Sequence, residues 1–301
     1  MKQIKIKLLL FSGAILGLAS CLKEGSPNVD TSNAGNIVQF SNTGDNSAAI
    51  SSKYPNFYTD LGTLLEGATA EFNLNISYAG SNNAPEDITV NLALDNDMLT
   101  LFNDQNGTSY VVPPSSVFSF PSSVVILKGT RTTQVKATVT RSADYDFAQA
   151  YALPLAISSA STGIISDNFG KSVYSFGVRN QYDGIYSVNG WVLRQNDPVL
   201  SGNFKNVERN VVTTGASSNT FAQTWSTGAD AGGLAGLTLT VDPATNKVTV
   251  WCTSNPAVTN EPSYDNRYDP ASKTYFVSFY WGTGPTNRAA TDTLVYVGPR
   301  P

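Results

Sequence analysis

Residues 68–78, Ala-Thr-Ala-Glu-Phe-Asn-Leu-Asn-Ile-Ser-Tyr, decide the fold class, because large apolar side chains recur at every second position. Phe72, Leu74, Ile76 and Tyr78 fall on one side of an extended chain, and polar residues separate them. A period of two over this length predicts a strand with one buried face. The same alternation identifies the other strands of the chain.

Residues 36–179 repeat the alternation in short segments that polar turns separate. We predict further strands at 36–40, 88–94, 122–127, 134–140, 151–157 and 172–178. Because proline has no N–H to donate, Pro154 predicts an edge strand or a bulge, and residues 99–102 predict one short helical turn. About seven short strands predict an antiparallel β-sandwich of immunoglobulin-like build.

A change of composition at residues 180–184 marks a boundary, since all four tryptophans follow it. Beyond it we predict strands at 185–193, 207–214, 237–241, 247–251, 274–281 and 293–297. The segments 242–246 and 269–273 are proline-containing turns, in which proline presets φ and Asp or Asn tolerates the other positions. Consecutive hairpins predict an antiparallel meander or small barrel over residues 180–301. The whole chain is therefore predicted to be all-β.

A short export signal precedes the strands. The first seven residues contain three lysines, and the apolar run at 8–18 is shorter than the roughly 20 residues that cross a bilayer. Residues 18–21, Leu-Ala-Ser-Cys, resemble the lipobox of bacterial lipoproteins, which implies a signal peptide over 1–20 and acylation of Cys21. An ordinary signal peptide with a chance cysteine is the alternative.

Two further features concern the location of the mature protein. The acidic Glu24 follows the cysteine closely, which resembles, in partial form, the surface-export signal of Bacteroidetes lipoproteins. This implies lipid anchoring in the outer membrane, facing the cell exterior rather than the periplasm, and two or three acyl chains anchor a protein stably. Residues 21–35, which are rich in Ser, Asn and Gly, are predicted to be a flexible tether.

The composition excludes several function classes. The chain has no histidine, which excludes Ser-His-Asp and Cys-His catalysis and most zinc sites. Without the three signal lysines, 16 basic residues face 23 acidic ones, and 16 − 23 = −7 disfavours nucleic-acid binding. Once Cys21 carries lipid, Cys252 has no partner in the chain, and the alternation of residues 248–252 predicts a buried thiol.

Motifs in both parts carry a resemblance to known families. Residues 88–92 and 151–157 look like the Bacteroidetes domain of unknown function 1735. The second part looks like domain of unknown function 4361, on residues 182–186, 267–270, 280–282, Arg288 and 291–294. The resemblance implies a surface lipoprotein of a polysaccharide-utilisation locus, beside SusC/SusD-like import proteins. Related first domains precede some family 18 glycoside hydrolases, whose acidic catalytic motif is absent from this chain.

Aromatic side chains outside the core are the candidate glycan site, because sugars stack on aromatic rings and planar polar groups take their hydroxyls. Trp225 lies in a polar stretch and is the first candidate. The loop at 261–269 adds Tyr264, Arg267 and Tyr268, unless it is a solvated connection whose tyrosines lie on the barrel. Trp281 ends a strand, and core packing is its alternative role.

Catalytic and metal sites have weaker support. Glu261, Asp265 and Asp269 could pair as the two carboxylates of a glycoside hydrolase, but nothing in their spacing requires it. An acidic cluster over residues 95–104 lacks the glycine and terminal glutamate of an EF-hand calcium loop. We predict no catalytic residue, no metal and no cofactor.

The sequence thus predicts a lipid-anchored, all-β surface protein that binds a poly- or oligosaccharide without cleaving it. The first part would be a spacer or docking module, and the second would carry the ligand. A structural or adhesive surface protein that partners import complexes without glycan affinity is the alternative. A third hypothesis is an enzyme whose catalytic carboxylates the sequence does not reveal.

Overall fold

The computed structural model describes residues 35–41 and 44–301. The predicted signal peptide, the lipid-bearing Cys21 and nearly all of the tether lie outside these residues. Among the described residues, no helix combines the length and the apolar character that crossing a membrane would need.

Residues 37–179 form two five-stranded sheets that enclose one hydrophobic core. The first sheet contains β1 (Ile37–Phe40), β3 (Thr69–Ala79), β5 (Phe118–Ser119), β7 (Thr132–Thr140) and β9 (Ile164–Ile165), in the order β5-β7-β3-β1-β9. The second contains β2 (Asn56–Thr63), β4 (Ile88–Leu94), β6 (Ser123–Ile126), β8 (Tyr151–Ala160) and β10 (Lys171–Arg179), in the order β2-β10-β8-β4-β6. The alternation in β3 buries Phe72, Leu74, Ile76 and Tyr78, as predicted. Two pairings, β1 with β9 and β2 with β10, are parallel, which alternation does not reveal.

Of the two alternatives that Pro154 suggests, the edge strand is wrong, and the bulge that β8 carries against β4 lies at residues 157–159 rather than at Pro154. Its strand, β8, lies at the centre of the second sheet, between β10 and β4. Pro154 pairs with Val173 of β10, but on the other side β4 ends with Leu94 opposite Leu155. The missing N–H therefore falls just past the last residue pair with β4, where no ladder bond depends on it.

The predicted helical turn is a helix of three turns, α1 (Asn96–Asn106). Asp95 caps its first turn by accepting a hydrogen bond from the Met98 backbone N–H at 2.9 Å. Gly107 ends it in the left-handed region, at φ 62°. Leu99 and Phe102 are buried, in a satellite cluster with Tyr54.

Residues 184–298 form a nine-stranded antiparallel sheet that curls into a nearly closed barrel. Its strands are β11 (Gly184–Arg194), β12 (Gly202–Thr213), β13 (Ser218–Thr220), β14 (Leu237–Val241), β15 (Val248–Cys252), β16 (Thr259–Asn260), β17 (Arg267–Asp269), β18 (Thr274–Trp281) and β19 (Arg288–Gly298). The order is β15-β14-β13-β12-β11-β19-β18-β16, and β17 also pairs with β18. The all-β prediction, a sandwich followed by a barrel-like sheet, is confirmed. The last strand lies between β11 and β18, so the sheet is not a simple meander.

A buried carboxylate fixes the junction between the two parts. Asp183 is 4% exposed and accepts hydrogen bonds from Arg300 Nε at 2.8 Å and Arg300 Nη2 at 3.0 Å. Its Oδ2 also accepts from the Thr213 backbone N–H at 2.8 Å and from the Thr213 hydroxyl at 2.9 Å. Arg179 extends the contact to the sandwich, because it donates to the Arg300 carbonyl at 2.6 Å and pairs with Asp60.

Burial alone would raise the pKa of Asp183, but the hydrogen bonds from Arg300 and Thr213 outweigh it and hold that pKa below its usual range. The carboxylate is therefore charged in the folded protein. It contributes stability above the unfolded-state pKa, and that contribution is lost as the pH falls through the lowered one.

We expect Asp183→Ala to lower the free energy of unfolding by about 3 kcal/mol, because it leaves the Arg300 guanidinium and the Thr213 N–H without their partner. Urea denaturation at pH 7 measures this. Asp230→Ala is the matched control, since Asp230 pairs with Arg209 but its side chain is 75% exposed, and its loss should cost less than about 1 kcal/mol. Equal effects of the two variants would contradict the structural role of Asp183.

Candidate functional site

A cleft of about 810 Å³ opens where the two parts meet. Thr63 and Leu65 of the sandwich line it, together with residues 181–183 at the junction. Residues of the turns at 243–246 and 270–273 and the ring of Tyr296 complete the lining. Clefts of this volume between packed units are common ligand sites.

Five tyrosines form the floor of the cleft and the layer beneath it. The ring centroids of Tyr182 and Tyr268 are 4.9 Å apart, and those of Tyr268 and Tyr275 are 4.8 Å apart. Tyr186 packs 5.5 Å from Tyr296 and donates its hydroxyl to the Tyr182 carbonyl at 2.9 Å. Burial raises the pKa of Tyr268 to about 12 and also raises that of Tyr182. These phenols therefore stay neutral at physiological pH.

Uncharged amides and one cation supply the polar groups of the cleft. Gln181 is exposed at its base, and Asn246 is held in a left-handed turn at φ 58°. The Lys273 ammonium lies 4.7 Å from the centroid of the Tyr296 ring, in cation–π contact. This combination of aromatic rings with planar amides suits the two faces of a sugar, one apolar and one hydroxylated.

The acids in and beside the cleft are all engaged. Asp183 is neutralised by Arg300, as described above. Asp242 and Asp269 lie in the two turns, where hydrogen bonds from Thr245 and Ser272, respectively, lower the pKa of each carboxyl. A glycoside hydrolase needs one carboxyl with a raised pKa opposite a second carboxylate. These three acids do not provide that arrangement.

The structure brings one of the sequence-predicted residues into the cleft. Tyr268 lines it, although the side chain is only 5% exposed. Trp225 and Trp281 are 6% and 0% exposed, and they pack against each other inside the barrel with ring centroids 6.0 Å apart. Arg194 covers the Trp225 ring at 5.6 Å. A sugar could reach these two indoles only if the segment around Trp225 moved.

The remaining predicted residues lie outside the cleft. Arg267 stacks on Phe276, with its guanidinium carbon 4.1 Å from the ring centroid, and donates to Asp265 at 3.2 Å. Tyr264 is half-buried in the preceding turn. Sequence reasoning missed Gln181, Tyr182, Lys273 and Tyr296. The two proline turns were visible in the sequence, but nothing in it indicated that they face the same cleft.

Asp292 is a second unusual acid, in the core of the barrel. It is 0% exposed, and among the described residues neither carboxyl oxygen makes a hydrogen bond of good geometry, although the Gln223 side chain lies beside it. Gly190 lies opposite it on β11 and must be glycine, because an added Cβ would lie 2.3 Å from Asp292 Oδ1. Burial raises its pKa to about 8, and the neighbouring Gln223 side chain offsets only part of this. Asp292 is therefore protonated at neutral pH, but it is sealed from solvent and unsuited to substrate.

Metal ligands are not gathered anywhere in residues 35–41 and 44–301, which contain no group of three or more His, Cys, Asp or Glu side chains placed to hold an ion. Asp95, the acid with which the possible calcium loop began, caps helix α1 and pairs with Lys171. Its carboxylate is therefore already committed within the sandwich.

Comparison with known proteins identifies relatives of the fold. Residues 40–164 match a family model described as an N-terminal domain. A Bacteroides ovatus protein of unknown function is 14% identical with a TM-score of 0.54, and the match covers 87% of this chain and 95% of that one. The two proteins therefore share a fold across both parts. Among curated proteins the comparison found no match.

Two further solved structures are similar at lower TM-scores. One is a Bacteroides ovatus multidomain protein that includes domain of unknown function 1735, 15% identical with a TM-score of 0.45, covering 86% of this chain and 93% of that one. The other is an auxiliary nutrient binding protein from Bacteroides thetaiotaomicron, 15% identical with a TM-score of 0.42, covering 84% and 94%.

We expect the free energy of unfolding to fall as the pH rises from about 4 to about 8, because the unfolded state releases the Asp292 proton near pH 3.8 and the folded state holds it to about 8. One proton gives a slope of at most about 1.4 kcal/mol per pH unit. Urea denaturation between pH 5 and 8 measures it, and Asp292→Asn should flatten the profile. The same slope in wild type and Asp292→Asn would show that Asp292 is ionised in the core.

Proposed function

We propose that this protein binds a poly- or oligosaccharide in the cleft between its two parts, without cleaving it. The observation that carries the proposal is the lining of the cleft, in which a tyrosine ring and amides meet while every acid is engaged. Gln181 and Asn246 supply planar donors and acceptors, and the half-buried ring of Tyr296 supplies apolar surface above the buried rings of Tyr182 and Tyr268. Each of these groups suits a sugar, and none suits proton transfer to a glycosidic oxygen.

The wider assignment is part of the same proposal. The two core clusters, one in residues 38–178 and one in residues 182–294, support separate domains that meet at Asn180. We assign the first domain to domain of unknown function 1735 and the second to domain of unknown function 4361. Acylation of Cys21 would anchor the protein to the outer membrane, with the cleft facing the cell exterior. Glycan held there would lie beside SusC/SusD-like import proteins.

Oligosaccharide binding tests the proposal. An array of short neutral and acidic oligosaccharides identifies a ligand for the purified full chain, and calorimetry then gives its affinity. We expect Tyr296→Ala and Gln181→Ala each to weaken binding about three- to tenfold, the loss of one ring contact or one hydrogen bond. Tyr264→Ala is the matched control, a half-buried tyrosine outside the cleft, and it should leave the affinity unchanged.

Two results would contradict the proposal. If the protein bound no oligosaccharide on the array, a structural or adhesive role would be favoured. Co-purification with outer-membrane proteins would support that role. Release of shorter sugars from a polysaccharide panel would establish hydrolysis instead.

Trp225→Ala separates a ligand contact from a core role. Because Trp225 is buried against Trp281, we expect the variant to lose about 3–5 kcal/mol of folding free energy. The affinity of the molecules that remain folded should not change, which calorimetry corrected for the folded fraction would show. A variant with wild-type stability and lost affinity would instead place sugar on Trp225.

A further inference from the structure

The outer surface of two adjacent strands in the barrel carries no charged side chain. We define the uncharged face as the odd-numbered residues 187–193 of β11 and 289–297 of β19. The register of β11 and β19 places these residues side by side. Their alternation with the buried residues of the same strands directs them outward. The neighbouring strand β18 bounds the face, because Ser278 is buried and Arg267 covers the Phe276 ring. None of these residues is Asp, Glu, Lys or Arg.

A tryptophan of β11 belongs to this face. Trp191 is 41% exposed, and no hydrogen bond or ring contact within the described residues involves its side chain. Its register neighbours are Thr291 on one side and Asn203 on the other, and the Asn203 amide is exposed. A free indole with a hydroxyl and an amide beside it offers one stacking surface and two hydrogen-bonding groups.

A second exposed tryptophan, Trp251, differs from Trp191 because its indole N–H has a hydrogen-bond acceptor. Trp251 is 43% exposed, but its indole N–H is donated to the Thr240 hydroxyl at 3.1 Å. It stands on β15, which the curl of the barrel brings beside β16 and β18 rather than beside β11. The two tryptophans thus match in residue type and exposure but differ in whether the indole already has a partner.

We propose that the uncharged face is a second binding surface, which takes a neutral polysaccharide stacked on Trp191. Residues 289–297 span roughly 27 Å at about 3.3 Å per residue, which suits an extended polymer better than a single sugar. The face mixes hydroxyls and amides with apolar side chains, whereas the core of an obligate protein interface is more apolar. The chain carries 19 basic and 23 acidic residues, so an acidic polymer would be repelled overall.

This surface deepens the proposed function, on which it rests, because it names the ligand class and separates polymer capture from binding in the cleft. The cleft would hold a short segment of glycan, and the uncharged face would hold the chain to which it belongs. Two contacts on one polymer raise its apparent affinity without further contacts at either site.

Retention of the purified full chain on neutral polymers tests the proposal. The probes are microcrystalline cellulose, insoluble β-1,3-glucan and insoluble mannan, with cross-linked polygalacturonate as the acidic comparison. We expect retention on at least one neutral polymer and none on polygalacturonate. Trp191→Ala should lower retention about tenfold, Trp191→Phe should restore part of it, and Trp251→Ala should match wild type. Thermal melting confirms that each variant is folded.

The outcomes distinguish this proposal from the cleft. Loss of polymer retention in Trp191→Ala with unchanged oligosaccharide affinity supports it, and Tyr296→Ala should show the reverse. If the oligosaccharide array is silent while polymer retention depends on Trp191, the cleft proposal fails and this one stands. Unretained wild type, or equal losses in Trp191→Ala and Trp251→Ala, overturns it. A dimer that Trp191→Ala converts to monomer in sedimentation would make the face an interface between copies, and also overturns it.

Discussion

The Asp183 carboxylate is the constraint on which the geometry of the cleft depends. It is nearly inaccessible to water, so its charge must be compensated by protein, and Arg300 and Thr213 together provide that compensation. These partners come from the end of the last strand and from β12, while Arg179 joins them to the sandwich. One buried charge therefore holds three separate segments together. The tyrosines and turns that line the cleft keep their positions, because separating these segments would leave the buried Asp183 carboxylate without its partners.

The strands that could be predicted are those in which one face packs in the core and the other face is exposed to solvent. In β3 and β4 the apolar residues alternate because one face packs in the core and the other is more exposed. The missed strand β2 has no fully buried face, since after Asn56 its residues alternate between half-buried and exposed. Strands such as β5 and β9 have two residues, too few for any period. Parallel pairing also produces no pattern in the local sequence, because it depends on which strands, distant along the chain, lie side by side.

The candidate site could be predicted only in its chemistry. Local composition indicated aromatic and planar polar groups in the second part, and of the five predicted residues Tyr268 lines the cleft. Composition could not show which loops fold inward. The polar stretch around Trp225 satisfies its own backbone, with Trp225 N–H donating to the Ala229 carbonyl at 2.8 Å, and this allows the segment to bury its one large ring. The cleft gathers residues from 63 to 296, and such long-range proximity is a property of the topology.

Strand β19 reverses the usual distribution of charge between the inside and the outside of a protein. Asp292 points into the core with no well-formed hydrogen bond from the described residues, whereas Thr291 and Thr293 on either side of it face outward and carry no charge themselves. Folding alone requires neither the buried acid nor the uncharged outer residues. An apolar residue would pack better in the core, and a charged residue on the surface would interact more favourably with water. Departures from local preference tend to mark positions that serve something other than stability. On the neighbouring strand β11, Gly190 points inward and leaves room for the Asp292 side chain. The next residue, Trp191, points outward, and its side chain has no partner in the described part of the chain. The barrel thus keeps an unfavourable acid in its interior, while the outer residues of β11 and β19 around Trp191 carry no charge.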